Sequence, residues 1–160
     1  MKVERLTKFL NGVKMDEPLA PHTSFRIGGP AMLFLKAKTI EALEKALSLA
    51  QEEGVPWVVL GKGTNVLVAD GGFPGLVVVN ACGRFVLEER GDEALLRAEA
   101  GVPLAYLARL AVSKGWEGLE WAEGIPGTVG GAIAGNAGAF GGCVADVLER
   151  VEILGENGER

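Results

Sequence analysis

Two stretches of this 160-residue chain combine glycine with hydrogen-bonding side chains in patterns that suit ligand chemistry. The first, Gly61-Lys62-Gly63-Thr64-Asn65, follows Trp57–Leu60, an apolar run that reads as a buried strand. A loop leaving the C-terminal end of a strand with two glycines can turn backbone N–H groups toward an anion. Lys62 adds a positive charge, and Thr64 and Asn65 add side-chain donors. The segment lacks both the full P-loop pattern and GxGxxG. It therefore reads either as an anion loop or as a plain hairpin turn leading into Val66–Ala69. The second stretch, Gly124 to Gly142, holds eight glycines in nineteen positions and no charged residue. Glycine inside a fold costs conformational entropy, so such density needs a cause. Close approach of bare backbone to a ligand is one. Thr128 also resembles a helix start, and a helix N-terminus attracts phosphate. The competing reading is a packing helix of small residues. A membrane span is disfavoured, because Pro126, Thr128 and Asn136 interrupt the few large apolar residues.

The other reactive residue types point elsewhere. His22 is the sole histidine, set in Pro21-His22-Thr23-Ser24, and reads as a loop residue rather than a catalytic or cofactor-attaching one. Glu117, Glu120 and Glu123 recur every three residues, but two tryptophans and Gly118 among them suggest a loop with solvated or capping carboxylates. No metal site is expected. Cys82 and Cys143 lie far apart without CxxC spacing, which fits neither zinc nor a disulfide framework and favours a reducing cytoplasm.

The elements that must position these stretches follow from periodicity. Residues 1–19 form a short amphipathic lead-in, and Ala20–Pro30 a structured loop. Met32–Ala37 is a strand. Thr39 caps a helix whose Leu43, Ala46, Leu47 and Ala50 form the buried stripe, with Gly54 as its stop. Strand, helix and the Trp57–Leu60 strand in that order suit parallel pairing. Asp70–Gly75 is a turn cluster and Leu76–Val79 another strand. A first subdomain, 1–80, closes near Asn80–Gly83. In the second, 81–160, Phe85–Glu88 and Leu95–Ala98 form a hairpin, and Pro103 opens a helix ended by Gly115. Val147–Leu154 is expected as a strand entering a hairpin at Asn157-Gly158. The partner strand is missing, so Arg160 is not expected to be a natural end.

The composition excludes some functions. Forty-eight per cent apolar and 23% charged residues suit a globular domain. Net charge is −5 without a basic cluster, which argues against nucleic acid. Lys2, Glu4, Arg5 and Lys8 interrupt any signal-peptide pattern. Glycine makes up 24 of 160 residues, about twice the usual ~7%. Asn and Gln together number only six, a weak lean toward a thermophilic source.

Three segments in this order, HTSFRIGGPA (His22–Ala31), LGKGTNVLVAD (Leu60–Asp70) and GLEWAEGIPGTVGGAIAGNAGAFG (Gly118–Gly141), resemble the UDP-N-acetylenolpyruvoylglucosamine reductases, flavoenzymes of bacterial cell-wall synthesis. The resemblance runs from Ala20 onward. It implies an α+β fold of the vanillyl-alcohol-oxidase-like (PCMH-type) class, with two FAD-binding subdomains and no substrate domain in these residues. It implies non-covalent FAD, the loop Gly61, Lys62, Gly63, Thr64 and Asn65 wrapping its pyrophosphate. The flavin pocket is then completed by Gly124, Ile125, Pro126, Gly127, Thr128, Gly130, Gly131, Ala132, Asn136, Ala137 and Gly138. Covalent attachment through His22, used by some relatives of the fold, is rejected.

The same resemblance implies a cytoplasmic oxidoreductase of peptidoglycan synthesis, linked to cell wall, shape and division. NADPH is the hydride donor, flavin N5 the relay, and the enolpyruvyl double bond of a UDP-sugar the acceptor. A serine protonates the developing carbanion, which a glutamate and an arginine stabilise. The family's motifs for those three residues do not occur in residues 1–160 and are expected beyond Arg160. No catalytic residue is therefore assigned here, and Arg150 and Arg160 are not offered as substitutes for the family's arginine. Either the chain is the flavin-binding portion of such an enzyme, or it is a flavin-binding module without turnover.

Overall fold

The computed structural model describes residues 2–155 and divides the chain into two compact units. One holds the chain through Ala81 together with the segment from Glu152; the other is Cys82–Val151. The sequence reading places everything from residue 81 to Arg160 in the second subdomain. The described residues 152–155 instead group with the first unit, Leu154 packing against the core of that unit. Arg160 itself lies outside the described residues.

The first unit is built on a four-stranded sheet in the order β1-β2-β4-β3. Helix α1 (Lys2–Phe9) precedes β1 (Lys14–Pro18), which lies antiparallel on the edge beside β2 (Pro30–Ala37). Helix α2 (Ile40–Glu52) then leads to β3 (Trp57–Leu60), and β4 (Phe73–Asn80) pairs in parallel with both β2 and β3. The strand–helix–strand order does give parallel strands, but β4 is inserted between them. The signals for α2 operate as the sequence suggests. Thr39 Oγ1 accepts the Ala42 N–H at 3.2 Å, and Gly54 follows the helix with a left-handed φ of 59°.

Alternation sorts the strands into two faces. Leu33, Leu35, Leu76 and Val78 face α1 and α2, where Leu6, Ala46 and Ala50 are wholly buried. Phe34, Leu60 and Val77 face the other way, joined by Leu19 and Ala31. A register shift between Ala31 and Leu33 puts Ala31 on this second face. No helix covers it. The β3–β4 connection, residues 61–72, has about the length that a parallel crossover needs, but it runs as irregular chain. Val66 and Val68 from that connection pack on the second face. Val66–Ala69 forms no strand, so the plain-hairpin reading of Gly61–Asn65 is discarded.

In the second unit β5 (Phe85–Arg90) and β6 (Glu93–Ala98) form the expected hairpin around Gly91-Asp92. Pro103 sits one position before α3 (Leu104–Ser113), as its cap, rather than inside it. A short α4 (Val129–Ala134) follows, then a two-residue hairpin of β7 (Gly138–Ala139) and β8 (Gly142–Cys143), and α5 (Val144–Val147). Leu104, Ala108, Ala122, Ala132 and Val144 form the core of this region.

The strand expected over Val147–Leu154 is not formed: Val147 ends α5, and the residues after it join no sheet. Cys143 N–H donates to Asp146 Oδ2 at 2.8 Å and Ala145 N–H to Asn136 Oδ1 at 3.0 Å, so the chain opens a helical turn. An Asp three residues past an extended residue is a capping pattern that overrides β-branched propensity here. The segment after it stays outside any sheet through Gly155, and the expected turn at Asn157-Gly158, like Arg160 beyond it, lies outside the described residues. No helix among the described residues is long and apolar enough to cross a membrane.

Leu76 is fully buried between the sheet and the helices. Leu76→Ala is expected to lower the unfolding free energy by about 2–5 kcal/mol, measured by denaturant titration.

Candidate functional site

The loop Gly61–Asn65 lies at the C-terminal end of β3, where the sheet ends and the irregular crossover begins. Lys62 and Asn65 are exposed, Gly61 and Thr64 half-buried, and Gly63 buried. Among the described residues, the backbone N–H groups of Lys62, Gly63 and Asn65 donate to no carbonyl of another loop. Gly63 has φ 62°, and a Cβ there would run into the His22 carbonyl oxygen and lie 3.1 Å from Thr23 Cα. Ser24 N–H donates to the Gly63 carbonyl at 3.0 Å. Gly63 is therefore needed for contact with the segment before β2, a cause within the fold that its sequence alone does not reveal.

That segment is itself tightly held. Thr23 is buried, and its hydroxyl donates to the Ile27 carbonyl at 3.2 Å. Arg26 turns left-handed at φ 55°, leaving Phe25 and Ile27 more than half or half exposed, at 59% and 50%. Leu67, on the crossover, is 69% exposed. These apolar side chains point outward on the segments that adjoin the Gly61–Asn65 loop.

In the second unit the glycine-rich stretch divides into positions that packing explains and positions that it does not. A Cβ on Gly130 would lie 2.7 Å from Ala100 Cβ, and one on Gly138 2.8 Å from Cys143 Cβ. These glycines serve the unit's own packing. A Cβ on Gly124 would meet nothing within 4 Å, and one on Gly131 only Thr128 Oγ1 at 3.5 Å. Gly131, Ala134 and Gly135 are all exposed. The outer face of α4 thus carries no side chain beyond a methyl group, where a surface helix ordinarily carries long polar ones.

The first N–H groups of the helix are engaged within the unit. Thr128 is buried and its hydroxyl accepts the Gly131 N–H at 3.4 Å. Val129 N–H donates to the Val102 carbonyl and Gly130 N–H to that of Ala100. The first donors of α4, which a phosphate would need, are thus already taken. Asn136, left-handed at φ 43°, spends its Oδ1 on Ala145. Both residues hold the stretch in place, and the helix's side, together with Gly124, is what remains bare and exposed. Ile125 and Ala137 pack against the local core, and Ala132 belongs to it. Pro126 and Gly127 lead into Thr128, and the Gly127 carbonyl accepts the Leu104 N–H at 3.3 Å.

The three carboxylates have local partners or solvent. Glu120 accepts the Gly118 N–H at 2.9 Å, Glu123 pairs with Arg109 at 3.0 Å, and Glu117 is exposed. Among the described residues no cluster of His, Cys, Asp and Glu could hold a metal.

A family model described as an FAD binding domain matches residues 31–160. The chain belongs to this FAD-binding family. Among its curated relatives, UDP-N-acetylenolpyruvoylglucosamine reductase of Rubrobacter xylanophilus is 47% identical over 149 residues, 93% of this chain and 50% of the relative. The protein of that name from Chloroflexus aggregans is 43% identical over 148 residues, 92% of this chain and 50% of the relative. The chain spans about half the length of the curated relatives it matches. The crystal structure of the reductase from Thermus caldophilus superposes with a TM-score of 0.65 at 33% identity, over 86% of this chain and 46% of that one. An alkyldihydroxyacetonephosphate synthase matches at TM-score 0.62 and 18% identity, over 91% of this chain and 31% of that one, a likeness of fold alone. The fold of this FAD-binding domain is accordingly the α+β, PCMH-type one that the sequence implied.

The two adjacent glycines of α4 should respond oppositely to substitution. Gly130→Ala is expected to cost about 1–3 kcal/mol of stability by overpacking. Gly131→Ala should be neutral or raise stability by up to about 1 kcal/mol, since alanine favours a helix. Chemical denaturation of both variants gives the comparison.

Proposed function

We propose that this chain binds FAD non-covalently and forms the flavin-binding portion of a UDP-N-acetylmuramate dehydrogenase. Its substrate would be UDP-N-acetylglucosamine-enolpyruvate, NADPH the hydride donor, and its setting cytoplasmic peptidoglycan synthesis. The observation that carries the reading is the bare outer face of α4, with Gly131 lacking a side chain for no reason of internal packing. A planar ring can lie against such a face. The names of the relatives support the reaction, and the family model supports the cofactor.

The residues fit the cofactor in two places. The backbone N–H groups of Lys62, Gly63 and Asn65 would donate to the diphosphate oxygens, with the Lys62 ammonium compensating charge. Gly124 and the Gly131–Gly135 face would receive the apolar, planar part. Thr128 would hold α4 in place by capping it, and Asn136 would hold the turn beyond. When bound, the flavin supplies hydride acceptance and donation. Protonation of the product carbon needs an acid, and a substrate carboxylate needs cations. Neither role is assigned to a residue of this chain, which spans about half the length of the relatives. The second reading, a flavin-binding module without turnover, rests on the lack of the family's arginine, serine and glutamate motifs in residues 1–160.

Three outcomes are expected. Purified protein takes up FAD and shows the visible absorption of a bound flavin; a colourless protein that leaves FAD fluorescence unquenched in titration defeats the proposal. Gly131→Ala loses FAD affinity although it stays folded, and Lys62→Ala loses about 1 kcal/mol of it. The 160-residue chain alone gives no steady NADPH-dependent UDP-N-acetylmuramate, as followed by chromatography of the products.

A further inference from the structure

His22 has no place in the reading above, yet it is one of the most constrained side chains of the first unit. Its ring stacks on Phe34 of β2, with centroids 4.3 Å apart. Phe34 is buried in the core of the second sheet face. Its Nε2 lies 3.0 Å from Glu17 Oε1 on the edge strand β1. Glu17 in turn accepts from Lys14 Nζ at 2.9 Å, and Lys14 and His22 together hold its carboxyl below the ordinary carboxylate range. The His22 N–H donates to the Leu19 carbonyl at 2.9 Å. The imidazole is thus fixed by a ring stack on one strand, a polar bond to another and its own backbone.

The backbone so fixed is the one that shapes the anion loop. The His22 carbonyl occupies the place where a Gly63 side chain would stand, and Ser24 N–H bonds the Gly63 carbonyl. A carbonyl held by Ser24 fixes the plane of the peptide from Gly63 to Thr64. Where that plane goes, the N–H groups on either side of it follow. A loop that binds an anion through backbone donors depends on their direction, since hydrogen bonds weaken steeply with misalignment.

We infer that His22 and Glu17 are positioning residues for the Gly61–Asn65 loop: the pair clamps the His22–Ser24 backbone onto Gly63 and so sets the loop's affinity for the cofactor diphosphate. The inference rests on the FAD reading of this loop. Neither side chain touches the ligand in this account. Their effect passes through two backbone contacts, at the His22 carbonyl and the Ser24 N–H.

The test measures FAD dissociation constants by quenching of flavin fluorescence, beside the melting temperature of each protein without FAD. Glu17→Ala is expected to weaken FAD binding on the order of tenfold, the scale of one hydrogen bond to a charged group. Glu17→Gln keeps an acceptor for Nε2 and should recover affinity to within about threefold of the parent, at half the energy of such a bond or less. His22→Phe keeps the stack on Phe34 and drops only the bond to Glu17, so it should resemble Glu17→Ala. It also stands in for Glu17→Ala if circular dichroism shows that variant to be unfolded. A purely structural role would instead lower the melting temperatures while leaving the affinity of the folded fraction unchanged. Parent-like affinity in Glu17→Ala and His22→Phe, or no recovery in Glu17→Gln, overturns the clamp. A parent protein that takes up no FAD overturns the flavin reading, and the clamp with it.

Discussion

The first unit depends on how an apolar sheet face is covered without a helix. Phe34, Leu60 and Val77 must be kept from water, and what covers them is irregular chain. Irregular chain brings unpaired peptide groups, which are costly when buried. Here the covering segments satisfy one another. Leu19 N–H reaches the Gly29 carbonyl, Gly29 N–H the Ala69 carbonyl, and Ser24 N–H the Gly63 carbonyl. Backbone can approach backbone this closely only where Cβ atoms are absent, so glycines sit at the crossings. The same requirement leaves a loop at the end of β3 with its shape imposed from outside and with donors not consumed by its neighbours. Packing and the shape of the loop are thus set by one network of main-chain contacts.

The second unit meets the opposite demand. Its small residues lie on a short helix whose starting N–H groups are all used within the unit, by Thr128 and by the carbonyls of Ala100 and Val102. The helix is anchored at its end and bare along its side. A flat surface without rotatable side chains loses little entropy when a planar ligand settles on it. The loop of the first unit differs: under the proposed reading, the direction of its donors matters more than flatness.

Much of this was legible in the sequence because it was written in local signals. The Thr39 cap, the Gly54 stop, the β5–β6 hairpin and the approximate point of division near Asn80 all follow from neighbours in the chain. The insertion of β4 between β2 and β3 was not legible, since strand order depends on which edges meet in space. The return of the chain from Glu152 to the first unit was hidden for the same reason. Nor was the division of glycines into packing and free positions legible. Gly130 and Gly131 are indistinguishable by type, and only the place of Ala100 separates them. The segment from Val147 misled because its β-branched residues spoke for a strand, while Val147 closes the turn that Asp146 caps and the residues after it join no sheet. The helix N-terminus misled differently: the sequence showed that donors would exist, but not that other parts of the unit would occupy them.

The order β1-β2-β4-β3 leaves two strands at the rims of the first sheet. An open rim invites another chain to add on, the route by which native proteins join into fibrils. On β1 the residues from Lys14 to Pro18 are mostly exposed and include Asp16 and Glu17. Asp16 turns left-handed at φ 50°, which breaks the straight run an incoming strand would need. Pro18 closes the strand without an N–H to offer. On the far rim β3 is only four residues long. A charged, kinked rim and a very short one give a foreign strand little purchase, so a sheet that can mount a ligand loop at one end is guarded along its sides against self-association.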